Sequence, residues 1–215
     1  MALKNQNIRF ILNFSLLLLT LASLLLNPIS ALAMGNTATL PSLADFSKTV
    51  QNGQSEELRG VYVANVLALP IVQQPSGNAG YVSNNNGEAT QFRMASQFGN
   101  VGLLAHNHLS GKSFSGLVAG QEITLVYGNG RVENFVVKEV LKYQALQPNS
   151  PYSSFRNLDK EETLTAEQMF KRVYFGDRHV TFQTCIDAEG NLSWGRLFVI
   201  AVPKETPSTF DRLIH

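Results

Sequence analysis

The chain has 215 residues and a formal net charge of +1, enough for one domain with accessory segments. Charged residues make up only 15%, and no Lys/Arg stripe interleaves with aromatics, which argues against electrostatically driven nucleic-acid binding. A single cysteine, Cys185, excludes an internal disulfide.

The first segment reads as a targeting signal. Lys4 and Arg9 lead into an apolar run over residues 10–26, and Ala31-Leu32-Ala33 offers the small residues a signal peptidase reads. Residues 1–33 are expected to be a signal peptide or, uncleaved, a signal anchor, because the run approaches the roughly 20 residues that span a bilayer. The rest of the chain is then expected outside the cytoplasm, secreted or anchored at the cell surface, touching the membrane only through this segment. Residues 34–59 read as a polar linker with one short helix, on which Leu43, Phe46 and Val50 share a face.

From Gly60 the texture changes to short apolar runs punctuated by Gly, Asn and Pro. Residues 61–66 read as a strand, and residues 74–87, rich in Asn, Gly, Ser and Gln, as an exposed loop. Residues 101–105 form a short strand. Residues 123–127 and 134–141 form two more, joined by a turn containing Gly128-Asn129-Gly130. Residues 147–160 read as a loop, and residues 166–172 as a helical turn or two. Residues 179–186 and 192–202 supply the last strands, with His179 expected on the surface at the start of the first. Residues 204–215 are a tail without a readable signal. The weight of the pattern is all-β, with strand spacings typical of barrels and sandwiches.

The last hairpin can be taken to the level of register. With Gly190-Asn191 as a two-residue turn, Glu189 faces Leu192, Asp187 faces Trp194 and Cys185 faces Arg196. Directly opposed residues share a sheet face, so the thiol and the guanidinium are expected side by side. Val180, Phe182, Thr184 and Ile186 fall on the other face with Leu197, Val199 and Ala201, which is the expected core. A lone cysteine in an exported chain is open to intermolecular pairing, reactivity or inert burial. Its place off the apolar face favours reactivity. Upstream, His106 and His108 follow an apolar run; two residues apart on a strand, they are expected to share a face. Sulfur nucleophile, imidazole proton carrier and guanidinium are the groups an acyl-cleaving site needs. His106 and His108 as a metal pair lack a third ligand at a recognisable spacing, so no metal or other cofactor is expected.

Thr181-Phe182-Gln183-Thr184-Cys185, a short hairpin, and then Arg196 in an apolar final strand together resemble the sortase family. Leu103-Leu104-Ala105-His106-Asn107 resembles that family's strand-end histidine motif. Phe114, Leu117 and Gly120-Gln121-Glu122-Ile123 resemble the stretch that follows it. The resemblance covers residues 60–203. Ala105, Phe182 and Gln121 depart from the residues commonest in the family.

The resemblance implies a closed eight-stranded β-barrel with short helices in its connections. It also implies a cysteine transpeptidase acting on a sorting-signal peptide near the C-terminus of secreted proteins. Cys185 would be the nucleophile, His106 the proton carrier with His108 as its rival, and Arg196 the clamp for the oxyanion or substrate backbone. Thr184 and Trp194 are expected to border the substrate. Tyr152 and Phe155, in the connection resembling the family's selectivity loop, are expected to contribute specificity. The second partner would be an amine acceptor on the cell envelope or on a protein. Two other readings stay open: a hydrolase on the same barrel without amine transfer, and a non-catalytic secreted β-domain that binds surface components.

Overall fold

A computed structural model describes residues 39–205 of the chain. The expected signal segment, residues 1–33, lies outside the described residues, as does the tail beyond residue 205. No helix among the described residues is long and apolar enough to cross a membrane.

The elements in chain order are α1 (Leu43–Val50), β1 (Leu58–Val63), β2 (Leu67–Gln73), β3 (Ala89–Phe92), α2 (Arg93–Ser96) and β4 (Val101–Leu104), then a 3₁₀ turn (Ser110–Gly116). There follow β5 (Glu122–Tyr127), β6 (Val132–Ala145), β7 (Phe155–Asn157), β8 (Thr163–Leu164), α3 (Ala166–Tyr174), β9 (Val180–Ala188) and β10 (Asn191–Pro203). Around the sheet the order is β10, β9, β4, β3, β2, β1, β5, β6, and pairing of β6 with β10 closes it into an eight-stranded barrel. β7 and β8 branch from β6 outside the ring. Within the ring, β2–β3 and β4–β9 are parallel and the other neighbours antiparallel. Closure leaves no free edge in the ring.

Alternation along the strands fills the interior. Val61, Ile71, Leu103, Ile123, Leu125, Phe182 and Val199 point inward and are fully buried. Phe114, from the 3₁₀ turn, joins this interior and meets Phe182 edge to face, ring centroids 5.1 Å apart. Two smaller clusters lie on the outside of the barrel. α1 lays Phe46 and Val50 over Val126, so the helix expected from Leu43, Phe46 and Val50 packs on the outside of the barrel wall. α3 lays Met169, Val173 and Tyr174 over Phe198 and Ile200. That second cluster explains why β10 is apolar on both faces: one lines the barrel and the other sits under a helix.

The last hairpin differs from expectation in its turn. Ala188 pairs with Asn191, so the turn residues are Glu189 and Gly190, with φ of 52° and 72°. Positive φ at both central positions suits the right-handed twist of the hairpin. Asp187 therefore does not face Trp194, nor Glu189 Leu192. Three residues of β10, Leu192, Ser193 and Trp194, lie opposite the single Asp187 in a bulge between two regular pairings. The bulge absorbs the offset of the turn, and beyond it Cys185 faces Arg196 as expected.

His179 also departs from expectation: it is buried, not on the surface. Its Nδ1 lies 2.7 Å from the Asp177 carbonyl oxygen and its Nε2 3.0 Å from that of Val173. The ring thereby ties the end of α3 to the start of β9. β3 was not expected, because Ala-Thr-Gln-Phe has no apolar alternation; pairing on both sides, with β2 and β4, makes it a strand.

The start of β9 is also fastened from outside. Arg178 pairs with Glu133 on β6, and Arg131 pairs with the same carboxylate at 2.6 Å. Burial pushes the Glu133 carboxyl up, but hydrogen bonds from Arg178 and Arg131 outweigh this and hold it below the ordinary carboxylate range. A carboxylate depressed in the folded state stabilises above its unfolded pKa, about 4.3. That contribution is lost as pH falls through the folded value. The apparent Tm of Glu133→Gln should therefore fall less steeply with acidification below about pH 5 than that of the wild type. Parallel Tm–pH slopes in thermal melts would refute the coupling.

Candidate active site

Cys185 and Arg196 are direct cross-strand partners on β9 and β10. Thr184 on β9 and Leu197 on β10 face the interior, so alternation turns Cys185 and Arg196 to the outer face. Cys185 is a free, half-buried thiol. Arg196 is also half-buried. Its Nη1 donates to the carbonyl oxygens of Ser193 at 2.9 Å and Gly195 at 2.8 Å. No carboxylate among the described residues pairs with it. The bulge thus supplies an anchor for one end of the guanidinium and leaves the other N–H groups for a ligand.

His106 arrives from the other neighbour of β9. β4 and β9 run parallel, with Leu104 opposite Gln183, and the ladder continues in a bond from the Ala105 N–H to the Gln183 carbonyl at 3.3 Å. That bond holds the residue just before His106 against β9. Beyond Ala105 the chain leaves the sheet and turns, with the N–H groups of Leu109 and Gly111 both donating to the His106 carbonyl at 3.0 Å. His106 and His108 are therefore not two strand residues sharing a face, as the sequence suggested, but members of a turn. Their rings stack with centroids 5.5 Å apart. His106 is half-buried and His108 exposed.

Two contacts fix this turn. The buried Thr184 hydroxyl donates to the Ala105 carbonyl at 2.8 Å. Gly111 lies so close that a Cβ there would sit 2.3 Å from the Thr184 hydroxyl, 2.6 Å from the Ala105 oxygen and 2.7 Å from the His106 oxygen. Gly111→Ala is expected to push the His106 turn away from β9. Stability should drop by about 1–3 kcal/mol, and reactivity that depends on the Cys185–His106 geometry by about 100-fold. Thermal melts together with Cys185 acylation rates test this. An unchanged rate at reduced Tm would separate the turn from the chemistry.

Two cavities adjoin the pair. One, of about 390 Å³, is lined by Cys185 and Thr184 together with His108, Lys112, Lys142 and Asp187. His106 is not in its lining. The other, of about 270 Å³, borders Arg196 and lies beneath α3 and the 147–155 connection. Phe155, Met169, Phe170, Tyr174 and Phe198 make its walls apolar. Of the residues expected to confer specificity, Phe155 lines this groove, its ring centroid 6.0 Å from the Arg196 guanidinium carbon, whereas Tyr152 stands 85% exposed outside it. Trp194 lies in the bulge, half-buried, with its indole nitrogen buried and unpartnered, and lines neither cavity.

Several contributors were not singled out from the sequence. Met169, Phe170, Val173 and Tyr174 line the groove from one face of α3. Their spacing was the available signal, since residues three and four apart share a helix face. Gln183 lies on the outer face two residues before Cys185, and its amide oxygen accepts a bond from the Tyr174 hydroxyl at 2.5 Å. Burial pushes the Tyr174 phenol far above its ordinary value, so it remains a donor. Among the described residues no group of three or more His, Cys, Asp or Glu side chains is placed to hold a metal ion.

No family model matches the chain, and no curated protein matches it. Among solved structures it is similar to sortase C1 from Streptococcus agalactiae, at 14% identity and a TM-score of 0.44 over 74% of each chain. It is similar to Listeria monocytogenes sortase A, at 13% identity and a TM-score of 0.44 over 73% of this chain and 95% of the other. It is also similar to sortase C1 from Streptococcus suis, at 11% identity and a TM-score of 0.47 over 77% of this chain and 81% of the other. The protein is a closed eight-stranded mixed β-barrel with short helices, and the solved structures it is similar to are sortases.

Proposed function

We propose that the chain is a sortase-type cysteine transpeptidase, with residues 60–203 as its catalytic domain and residues 1–33 as the segment that carries it out of the cytoplasm. The observation that carries the reading is the direct pairing of Cys185 with Arg196 on the outer face of β9 and β10, beside the turn that holds His106. In this reading the Cys185 thiol passes its proton to His106, and the sulfur attacks the scissile carbonyl carbon of a sorting-signal peptide. The free N–H groups of Arg196 stabilise the oxygen as it gains charge. His106 gives a proton to the departing amine as the C–N bond breaks, leaving a thioester on Cys185. An amine from the cell envelope or a protein then takes the acyl group. The apolar groove beside Arg196 suits the acyl-donor peptide, and Thr184 serves by fixing the histidine turn.

The test is the pH profile of Cys185 alkylation by iodoacetamide in the domain lacking residues 1–33. A coupled Cys–His site departs from the single titration of an ordinary thiol, and the departure should vanish in His106→Ala. A Cys185 that stays inert until the protein unfolds would instead favour the non-catalytic β-domain. Peptide cleavage with and without an added ordinary primary amine separates transfer from hydrolysis, because a transferase converts the thioester to the amide in preference to the free acid.

A further inference from the structure

The two cavities that adjoin Cys185 and Arg196 differ in charge. The groove beside Arg196 is walled by aromatic and aliphatic side chains and contains no lysine or carboxylate. The cavity beside Cys185 contains Lys112 from the 3₁₀ turn and Lys142 from β6, with His108, against the single carboxylate Asp187. Both lysines are exposed, and among the described residues neither ammonium is paired with a carboxylate. Two unpaired cations from separate elements beside the Cys185 thiol give the cavity an excess of positive charge.

We infer that this cavity receives the second substrate, and that the amine it takes bears a carboxylate: an amino acid or peptide end, not a simple alkylamine. The inference rests on the transpeptidase reading. With the acyl donor in the groove beside Arg196, the Cys185 side is where the leaving amine departs. An incoming amine must retrace that path to reach the same carbonyl carbon. Lys112 and Lys142 then attract the acceptor's carboxylate while its nitrogen meets the thioester. The nitrogen lone pair forms the new C–N bond and the C–S bond breaks. The electron pair returns to the Cys185 sulfur, and the proton lost by the amine passes to His106.

Phenyl thioacetate supplies an acyl donor with no peptide requirement, acetylating Cys185 and releasing thiophenol. The thioacetate is offered equal concentrations of glycylglycine and glycinamide, whose amines are of similar basicity but only one of which carries a carboxylate. Mass spectrometry counts the two N-acetyl products. The wild type should favour acetylglycylglycine by about fivefold, the scale of an ion pair near a surface. In Lys112→Gln/Lys142→Gln the ratio should approach one. Lys138→Gln, a charge control on β6 outside the cavity, should keep the wild-type ratio. A wild-type ratio near one, or a preference that survives in the double variant, overturns the inference and leaves the sortase reading standing. Hydrolysis with neither amide product overturns the inference and leaves only the hydrolase form of the site. A Cys185 that forms no thioacetate overturns both.

Discussion

His106→Ala is expected to lower acyl transfer from Cys185 by about 10²–10⁴-fold, the range for loss of a positioned general acid–base, whereas His108→Ala should lower it by less than about tenfold. The two imidazoles are chemically equal and stack on one another, so position alone separates them. His106 follows Ala105, whose N–H makes the last ladder bond to β9, and its carbonyl is gripped by two N–H groups of the turn. The Ala105 carbonyl before it is held by Thr184. His106 therefore sits on backbone fixed from both sides, as a group that must deliver a proton with small positional error should. His108 lies farther out on the turn, exposed, at the edge of the cavity beside Cys185. Rates of peptide cleavage, with kcat and KM separated, decide the matter. If His108→Ala carries the large loss and His106→Ala the small one, the proton carrier is His108, and its place in the cavity lining becomes the reason.

The sequence displayed the pairing of thiol and guanidinium, but for an incomplete reason. Counting back from a turn at Gly190-Asn191 put Cys185 opposite Arg196. The true turn lies one residue earlier, and a bulge at 192–194 restores the register. Bulges have no compositional signature as strong as a two-residue turn, so the compensation was invisible. It also shapes the candidate site, because the bulge brings the Ser193 and Gly195 carbonyls onto Arg196. The barrel interior was legible from period-2 alternation in β9 and β10. The outer groove was not, because Phe198 and Ile200 are covered by α3, an element separated from them by more than twenty residues. Alternation reports which face a residue takes and is silent about what lands on that face. The histidine turn was misread for a related reason: apolar residues continued to Ala105, and nothing in the next few residues marked where pairing with β9 would end. The departure at Phe182 has a packing partner, since its ring meets Phe114 in the barrel interior.

Arg196→Lys, though it keeps the charge, is expected to lower kcat/KM for the acyl donor by about 10²–10³-fold, comparable to losing an oxyanion donor. The guanidinium has five N–H groups in a rigid plane, and Nη1 spends its donors on the carbonyls of Ser193 and Gly195. The plane is thereby oriented before substrate arrives, with the remaining donors available to a developing oxyanion. A lysine has one nitrogen on a flexible stem. It can satisfy the bulge carbonyls or reach toward the Cys185 side, and doing one withdraws it from the other. Long-range attraction of an anion would survive the change, while directional donation in the transition state would not. The kinetic signature follows: kcat and kcat/KM should fall together with KM little changed, the pattern of an interaction made only in the transition state. Thermal melts and the rate of Cys185 alkylation serve as controls for folding and for access to the thiol. Retention of kcat/KM within about tenfold in a folded Arg196→Lys variant would mean that charge alone suffices, and the role proposed for the oriented fork would then fall.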